Sequence, residues 1–506
     1  MLQAVRAPAH TRPQGHATAG RRTARSVERA AAPSTGTRAC FSLPRCGRSR
    51  PTACRSLEYD SASETGGSLK SISLSESAVY APNGSDRTIE GPGSAAEGGT
   101  AAERTLAELG PEWAHKGYLD DCEPEKVGTG LKIAVLLSGG VDSSVALSLL
   151  RAAGHDCTCF YLQIWFQEDF RNTWEACPWE EDLQFAEEVC RRAGVELHVI
   201  PLTKEYWDRV VAHSVEEMRS GRTPNPDILC NSRIKFGVFY DYIDSLDVKF
   251  DRVASGHYAR VESSHADGTA TREVRLLLSR DEHKDQTYFL SQLKQEQLAR
   301  CCFPLGGLSK QTVRGVAEEA GLATARRKDS QGICFLGKVK FSEFVAEHLG
   351  ENPGKIVEYE SGDVLGQHKG VWFHTIGQRR GLELSGGPWY VVSKDLEKNL
   401  VYISKDYYAM DKRRDQFGVG RLNWINEGLT PTGTTRLMCK VRHGPQLYRC
   451  SLTVLDSPSE TEGDLVNCTR ALVRLDEDDQ GLAAGQYCAF YQNGICLGSG
   501  MITETG

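Results

Sequence analysis

The sequence predicts a doubly wound α/β domain with a parallel sheet, followed by a small mostly β domain and a C-terminal β-barrel. Three observations support this order of folds. Apolar runs of strand length alternate with helical patterns over residues 131–260, as a parallel sheet requires. Short strands with frequent glycines follow residue 350. Beyond residue 413 strands recur at close spacing, and Asn493-Gly494 between two of them is a strong hairpin signal.

The first strand and helix flank a turn suited to phosphate. The apolar run at 133–137 leads into Ser138-Gly139-Gly140-Val141-Asp142-Ser143-Ser144, and a helical stretch covers 145–153. Two glycines permit unusual backbone angles, and the helix N-terminus adds partial positive charge. Asp142 is badly placed to bind an anion directly, so we expect it to hold a Mg²⁺ that bridges phosphates. The hydroxyl groups expected to assist are those of Ser138, Ser143 and Ser144.

The following segments continue the alternation. Strands are predicted at 157–164, 195–201 and 252–254, with a helix at 204–219 and another whose apolar face holds Leu183, Ala186, Cys190 and Ala193. The strand at 252–254 ends in Ser255-Gly256-His257-Tyr258. Ligands of such sheets bind at the carboxyl ends of the strands, which places Leu162, Gly256 and His257 beside the turn. Leu162 either lines an adenine pocket or is a core leucine.

The N-terminal region differs in composition from the rest. Residues 1–57 contain eleven arginines, no lysine and one acidic residue, Glu28, a composition typical of a transit peptide. The alternative is a retained basic arm that touches nucleic acid. Residues 58–130 hold 14 acidic against 5 basic residues and predict a disordered acidic linker that ends at a domain start near Leu131. The domains expected beyond it span 131–349, 350–412 and 413–506.

Composition restricts the class of protein. The 506 residues carry a net charge of −7, and residues 131–506 alone sum to −8, which is not the footprint of a general nucleic-acid binder. RNA would need local basic patches such as Arg326-Arg327-Lys328 and Arg379-Arg380. No apolar stretch approaches the roughly 20 residues of a membrane span, so no membrane anchor is expected. Seventeen cysteines without a Cys-x-x-Cys pair indicate a reducing compartment.

Two cysteines stand in distinctive settings. In Arg222-Thr223-Pro224-Asn225-Pro226-Asp227-Ile228-Leu229-Cys230-Asn231, Pro226 suits the first turn of a helix. Asp227 and Cys230 then share one helix face near its positive end, where a thiol gains nucleophilicity through a lowered pKa. A buried structural cysteine is the alternative. About a hundred residues later, Cys334 follows a Ser/Gly turn and a basic cluster that favours the thiolate.

These motifs carry a family resemblance. The turn at 138–144 resembles the PP-loop of ATP pyrophosphatases, which leave AMP on a carbonyl oxygen of the substrate. With Asn225-Pro226-Asp227-x-x-Cys230-Asn231 and Asp329-Ser330-x-Gly332-Ile333-Cys334-Phe335, residues 132–502 resemble the tRNA 2-thiouridylase family, which replaces the C2 oxygen of the wobble uridine by sulfur. The segments that also agree are Ser255 to Tyr258, Lys284-Asp285-Gln286-Thr287-Tyr288-Phe289-Leu290 and His374-Thr375-Ile376-Gly377-Gln378-Arg379-Arg380-Gly381.

The resemblance implies a role for each matching residue. Cys230 is the implied nucleophile, Cys334 the implied persulfide carrier, and Asp227 a group that manages a proton. The implied ATP contacts are Leu136, Leu137, Ser138, Gly139, Gly140, Val141, Asp142, Ser143, Leu162 and Gly256, with Mg²⁺ on Asp142. The implied tRNA contacts are Asn225, Pro226, Asp227, His257, Lys284, Asp285, Gln286 and Gln446. Leu162 stands where the family usually has Met, and Gln446 is shifted by one residue from the expected Gln. The barrel is implied to grip tRNA.

Other functions compete with this interpretation. Another PP-loop ATP pyrophosphatase, a small-molecule amidotransferase or ligase of the argininosuccinate or GMP synthetase type, would not need two separated reactive cysteines. A non-catalytic tRNA-binding or sulfur-carrier protein would not need Asp142 and both cysteines. A zinc enzyme would need a second pair at ligand spacing beside His257 and Cys230. The expected partners are tRNA and a sulfurtransferase or cysteine desulfurase, and the expected location is an organelle, a plastid being slightly preferred over a mitochondrion.

Overall fold

The computed structural model describes residues 104–123, 130–164, 178–265, 272–329, 341–455, 470–479 and 481–505. The predicted leader and Cys334 lie outside these ranges. None of the helices within them combines the length and the hydropathy needed to cross a membrane.

The described ranges contain the following helices and strands. The helices are α1 (Leu106–His115), α2 (Val141–Ala152), α3 (Pro178–Ala193), α4 (Thr203–Tyr206), α5 (Ala212–Arg219), α6 (Pro226–Leu229), α7 (Phe239–Asp244), α8 (Thr287–Leu290), α9 (Gln295–Leu298), α10 (Lys310–Glu319) and α11 (Phe341–Leu349). The π-helical segments Trp207–Val211 and Cys230–Val238 join α4 to α5 and α6 to α7. The strands are β1 (Lys132–Leu136), β2 (Asp156–Gln163), β3 (Leu197–Pro201), β4 (Arg252–Ala254), β5 (Arg260–His265), β6 (Arg272–Leu277), β7 (Cys301–Cys302), β8 (Gly354–Glu358), β9 (Val364–His368), β10 (Tyr390–Asp395), β11 (Leu400–Ser404), β12 (Gln416–Trp424), β13 (Thr434–Lys440), β14 (Tyr448–Leu455), β15 (Arg470–Leu475), β16 (Tyr487–Gln492) and β17 (Ile495–Thr505).

A five-stranded parallel sheet organises the first domain. Its order is β3-β2-β1-β4-β7, so the chain builds outward from β1 on one side and then crosses to β4 on the other. The topological switch point of the sheet therefore lies between β1 and β4. In open α/β sheets such a switch point leaves a crevice at the carboxyl ends of the strands, where ligands bind.

Helices cover both faces of this sheet, which confirms the predicted doubly wound fold. The central strand β1 sends Ile133 and Val135 to one face and Ala134 and Leu136 to the other, as the period of a strand requires. The first pair packs in a core with α1, α2, α3 and α10, and the second pair packs in a core with α5, α6 and α7. Because both faces are buried, the strand is apolar throughout.

The predicted linker is wrong for residues 104–123. Thr105 and Glu108 form a capping box at the start of α1, and the fully buried Trp113 donates its indole N–H to Glu319 at 2.9 Å. Leu109 and Trp113 lie in the same core as α2. The average composition of residues 58–130 is acidic and does not reveal this short amphipathic stretch, whose apolar residues are stabilised by burial against the parallel-sheet domain.

The remaining described chain forms two β structures, as predicted. The central sheet has the order β10-β11-β8-β9, and the C-terminal strands β12-β15-β14-β13-β16-β17 close into a six-stranded barrel through pairing of β12 with β17. Cys439, Cys450, Cys488 and Cys496 are buried among these strands, and Cys468 lies outside the described residues. The strand β12 was not predicted, because Gly418 and Gly420 interrupt the alternation of apolar side chains that marks a strand.

Candidate active site

The turn after β1 has the backbone geometry of an anion-binding site. Gly139 has a φ of 72°, in the left-handed region, and a Cβ there would lie 2.1 Å from the carbonyl oxygen of Asp182. The N-cap of α2 is Gly140, which makes no side-chain capping hydrogen bond. The first-turn N–H groups of α2 are therefore left for an external acceptor, as at phosphate-binding helix N-termini.

The serine hydroxyl groups are partly used within the loop. Ser143 Oγ accepts a hydrogen bond from the backbone N–H of Ser138 at 3.2 Å, while the Ser138 residue itself is exposed. Ser144 is fully buried, and its hydroxyl donates to the carbonyl oxygen of Gly140 at 2.8 Å. The prediction that Ser144 offers its hydroxyl to a ligand is therefore wrong, because the first turn of α2 already satisfies that group.

The Asp142 carboxylate contacts two groups from distant parts of the chain. Lys310 Nζ lies 2.7 and 2.8 Å from its two oxygens, and the Tyr258 hydroxyl donates to Oδ1 at 2.8 Å. Burial and the Asp142 charge raise the pKa of Tyr258, which keeps its hydroxyl a donor. Lys310 is the first residue of α10. The loop thus has a lysine beside it that its own motif lacks, and sequence reasoning missed it.

A second carboxylate, that of Asp329, gathers three cations next to Asp142. Lys284 donates to Oδ2 at 2.8 Å, Arg314 donates to Oδ1 at 2.6 Å, and Lys310 Nζ lies 2.8 Å from Oδ1. Burial opposes ionisation of Asp329, but hydrogen bonds from Lys284 and Lys310 outweigh it and hold the pKa of this carboxyl below its usual range. Lys310 is therefore shared between the carboxylates of Asp142 and Asp329.

Arg327 completes the cationic surroundings of the loop. Its guanidinium donates to the carbonyl oxygen of Gly139 at 2.7 Å and pairs with Asp182. Within the basic run Arg326-Arg327-Lys328, the guanidinium of Arg327 is therefore engaged with the loop. Around the loop, four cations stand among four carboxylates. The cations are Lys284, Lys310, Arg314 and Arg327, and the carboxylates are Asp142, Asp182, Asp281 and Asp329.

Gly256 lies against the loop from the adjacent strand end. A Cβ at this position would be 2.7 Å from the backbone nitrogen of Ser143 and 2.8 Å from the carbonyl carbon of Asp142. Both contacts are to backbone, so a neighbouring side chain cannot move aside to relieve them. The close approach of β4 to the loop thus requires glycine here, in agreement with the predicted position of Gly256 beside the turn.

We expect Gly256→Ala to weaken ATP binding by about tenfold or more, since the added methyl group displaces the first turn of α2. Gly315→Ala is the matched control, because a Cβ at Gly315, in α10, meets nothing within 4 Å. Equilibrium binding of a fluorescent ATP analogue measures both variants. Equal affinity of the Gly256 variant and wild type would show that this contact does not shape the site.

The Asn-Pro-Asp-x-x-Cys segment forms a helix start, as predicted. Asn225 is the N-cap of α6 and accepts a hydrogen bond from the N–H of Ile228 at 3.4 Å, with Pro226 in the first turn. The backbone N–H of Cys230 donates to the carbonyl oxygens of Pro226 and Asp227. Cys230 is 1% exposed, within the core formed on this face of the sheet. Access of a reagent to the thiol therefore depends on the position of this segment.

His257 links the nucleotide loop to the cysteine-bearing helix. It follows Gly256 directly, and its ring lies against Phe236 and Phe303 at centroid distances of 6.1 and 6.0 Å. Phe236 belongs to the π-helical segment that begins at Cys230. Burial and the nearby Lys235 hold the pKa of His257 well below its usual range, so the ring is neutral. The structure places this predicted tRNA contact in the core, where its ring packs rather than faces solvent.

The Lys-Asp-Gln segment connects the same elements. Asp285 is 2% exposed and accepts hydrogen bonds from Lys440, Thr287 and the N–H of Ser279. The Asp285 oxygens are therefore engaged in the core, where they pair with the barrel, and the contact of this residue with tRNA stays a prediction. Gln286 accepts a hydrogen bond from the backbone N–H of Tyr258 at 3.0 Å. Lys284 retains an exposed side chain beside Asp329.

The other predicted contacts lie in different surroundings. Leu136 and Leu137 have buried side chains, so their approach to a nucleotide is through the backbone at the end of β1. Leu162 ends β2 and packs partly buried against the core, while Gln446 is exposed between β13 and β14. Cys334 lies outside the described residues, so the structure does not measure its distance from Cys230. Within the described ranges, no group of three His, Cys, Asp or Glu residues is placed to hold a metal ion.

Comparison with sequence families gives three consecutive matches. Residues 131–338 match the tRNA methyl transferase HUP domain, residues 342–405 match the tRNA methyl transferase PRC-barrel domain, and residues 414–502 match the aminomethyltransferase beta-barrel domain. The three regions follow one another without overlap and include the parallel sheet, the central sheet and all of the barrel except the end of β17.

Curated relatives match about three quarters of the chain. The tRNA-specific 2-thiouridylase MnmA of Parabacteroides distasonis is 41% identical over 378 residues, which cover 74% of this chain and 99% of the relative. The enzyme of the same name from Porphyromonas gingivalis is 40% identical over 382 residues, with the same coverage. Among solved structures, the U34-tRNA thiolase NcsA from Methanococcus maripaludis is 18% identical, with a TM-score of 0.27, and the match covers 47% of this chain and 71% of that one.

Proposed function

The chain belongs to the tRNA-specific 2-thiouridylase family, and from this premise we propose that it is an ATP-dependent tRNA-uridine 2-sulfurtransferase. It converts the C2 carbonyl of the wobble uridine into a thiocarbonyl, with AMP and pyrophosphate as the other products. One observation carries the proposal beyond the family match. The end of β4 touches both the PP-loop, through Gly256, and the helix that bears Cys230, through His257.

The chemistry needs both halves of this site. A uridine carbonyl is a poor electrophile and its oxygen a poor leaving group, so transfer of the adenylyl group to that oxygen makes AMP the leaving group. The first turn of α2, Lys310 and Arg327 supply positive charge for the phosphates. A Mg²⁺ held by Asp142 would add charge there, and one protein carboxylate with phosphate oxygens suffices for that ion. The target base must leave the anticodon stack to reach the site.

The proposed sulfur transfer uses both cysteines. The terminal sulfur of a persulfide on Cys334 attacks C2, and the bond from C2 to the adenylylated oxygen breaks as AMP leaves. Cys230 thiolate then attacks the Cys334 sulfur, which breaks the S–S bond, releases the thiocarbonyl product and leaves a Cys230–Cys334 disulfide. Asp227, one helical turn before Cys230, acts as the acid or base that transfers the proton of the uracil base or of the thiol. A dithiol reductant restores both thiols, and a sulfurtransferase or cysteine desulfurase reloads Cys334.

Nucleoside mass spectrometry tests the reaction. Purified protein is incubated with a tRNA transcript that has uridine at the wobble position, together with ATP, Mg²⁺ and a cysteine desulfurase with cysteine. We expect 2-thiouridine and AMP in equal amounts, and no 2-thiouridine from a transcript with cytidine at that position. AMP formation that depends on a small-molecule amine instead of tRNA would contradict the proposal.

We expect Lys310→Met to raise the KM for ATP by about 10- to 100-fold and to lower the rate of AMP formation, because a cation is lost beside the phosphates. Lys310→Arg should retain most of the affinity. Lys294→Met is the control, since Lys294 is an exposed lysine of the same domain that pairs only weakly, with Glu296 at 3.8 Å. Unchanged ATP kinetics in Lys310→Met would show that this lysine serves only its two carboxylates.

The composition of the N-terminal segment is the basis for a proposal about where in the cell the protein acts. We propose that residues 1–57 direct import into an organelle, a plastid being preferred because the segment is rich in Ser, Thr and Ala as well as Arg. Residues 1–110 fused to a fluorescent protein should accumulate in that organelle, whereas a fusion of residues 58–110 should not. A cytosolic signal from the longer fusion would favour the alternative, a retained basic arm.

A further inference from the structure

The side-chain amide of Gln486, in the barrel, forms hydrogen bonds with the loop at 223–225 that precedes Cys230. Gln486 Nε2 donates to the carbonyl oxygen of Thr223 at 3.0 Å and to that of Pro224 at 3.1 Å. Gln486 Oε1 accepts from Asn225 Nδ2 at 3.3 Å. Three consecutive residues of the loop are therefore bound through the donor and acceptor ends of one side chain. Only a side-chain amide of this length combines two donors and an acceptor in that arrangement.

The backbone around Gln486 reinforces this contact. The N–H of Thr223 donates to the carbonyl oxygen of Ala484 at 2.7 Å. Gly485, with a φ of 91°, lies so close that a Cβ there would be 2.8 Å from the Thr223 nitrogen. The barrel segment 484–486 and the loop 223–225 thus meet backbone to backbone. A side chain at 485 would push them apart.

The central domain contacts the same part of the chain, at Gly221 and Thr223. Lys394 Nζ, on β10, donates to the carbonyl oxygens of Gly221 at 2.7 Å and His374 at 3.0 Å. Burial lowers the pKa of Lys394 to about 8. Thr375 Oγ1 lies 3.4 Å from Thr223 Oγ1. Both accessory domains therefore contact the segment that leads into α6.

The contact reaches the reacting groups through Asn225. This residue caps α6 with its side-chain oxygen, and its side-chain nitrogen is the group bound by Gln486. Gln486 thus helps to set the orientation of the Asn225 amide from the barrel, together with Tyr288 of α8, to which the Asn225 side chain also hydrogen-bonds, and with it the start of the helix that carries Asp227 and Cys230. Loss of an N-cap destabilises the first turn of a helix, enough to let a short helix such as α6 fray.

We propose that Gln486 is a positioning residue for the reaction, through which the barrel fixes the Asn225-Pro226-Asp227 segment and Cys230 relative to the nucleotide. The inference rests on the proposed function. It makes the barrel part of the active site, in addition to any grip on tRNA. A purely structural amide would stabilise the contact between the domains without changing the rate of the chemical step in the folded enzyme.

Single-turnover thiolation tests the proposal. We expect Gln486→Leu to lower the rate of 2-thiouridine formation by about 100-fold at saturating tRNA, with the Kd for tRNA changed less than about threefold. Gln486→Glu should be equally slow, because a carboxylate cannot donate to the two carbonyl oxygens. Gln492→Leu is the matched control, an exposed glutamine at the end of β16. A thiolation rate of Gln486→Leu within twofold of the control would overturn the proposal.

Alkylation of Cys230 separates this inference from the function on which it rests. Wild type and variants, free of tRNA, are treated with N-ethylmaleimide, and the peptide that contains Cys230 is followed by mass spectrometry. We expect at least tenfold faster modification in Gln486→Leu, with Cys301 unchanged as an internal reference. If wild type forms no 2-thiouridine, the proposed function fails, and equal alkylation rates would then overturn the positioning role as well. Should the leucine variant not fold, Gln486→Asn, one methylene too short, replaces it in both assays.

Discussion

Cys230→Ser is expected to lower 2-thiouridine formation by about 10⁴-fold or more while ATP still binds with wild-type affinity. A serine hydroxyl is hardly ionised near neutral pH and cannot form the disulfide that releases the product. The substitution is nearly isosteric, and Cys230 makes none of the contacts described around the PP-loop. Sulfur chemistry and nucleotide binding should therefore separate. Rapid-quench nucleoside analysis and fluorescent ATP binding give the two readouts.

Cys301→Ser provides the matched control for this experiment. Cys301 is also 1% exposed and lies in the same core, where its thiol donates to the carbonyl oxygen of Gln297 at 3.3 Å. A serine can retain that hydrogen bond, so we expect thiolation within about threefold of wild type. Substantial thiolation by Cys230→Ser would contradict its role as the nucleophile, and equal losses in both variants would point to disturbed packing.

Local motifs predicted the parts of the site that adjoin one another in sequence. The PP-loop could be recognised because strand, glycines and helix start are consecutive, and the structure shows Gly139 in the left-handed region and α2 starting at Val141. The helix at Pro226 was predicted for the same reason, from a proline and a capping residue side by side. Such signals depend on backbone chemistry over a few residues, which the sequence displays directly.

The cations of the site could not be predicted in this way. Lys310 reaches Asp142 from a helix start 168 residues further along the chain, and its own neighbours in sequence give no sign of a phosphate. Arg327 was expected on the surface because it stands in a basic run, but Asp182 and the Gly139 carbonyl oxygen hold it at the loop. Only the folded sheet brings these segments together.

Motif residues with structural roles are harder to assign from the sequence. Asp285 belongs to a motif implied to contact tRNA, yet it forms a buried ion pair with Lys440 of β13 at 2.8 Å. Removing one partner of a buried ion pair commonly costs about 3–5 kcal/mol of folding stability, so the fold itself needs both Asp285 and Lys440. The motif singles out such a position, but it does not show whether the side chain contacts the substrate or packs in the core.

Asp142→Ala is expected to abolish Mg²⁺-dependent AMP formation, with a rate loss of about 10³-fold or more. Its carboxylate lies on the loop itself, in the first turn of α2, and it also holds Lys310 and the Tyr258 hydroxyl in place. Asp142→Asn separates these functions. An asparagine oxygen still accepts hydrogen bonds from Lys310 and Tyr258, but the amide carries no charge with which to bind the ion.

We therefore expect both Asp142 variants to lose AMP formation, and the asparagine variant to retain the wild-type unfolding temperature more closely than the alanine variant. Asp156→Asn is the control, an exposed aspartate at the opposite end of the sheet, where β2 begins. AMP release is measured by chromatography across a Mg²⁺ titration, and ATP binding is measured in parallel. Because phosphates can bring Mg²⁺ with them, weak ATP binding should persist in Asp142→Asn without turnover. An AMP yield equal to that of the Asp156 control would show that the loop carboxylate does not take part in adenylation.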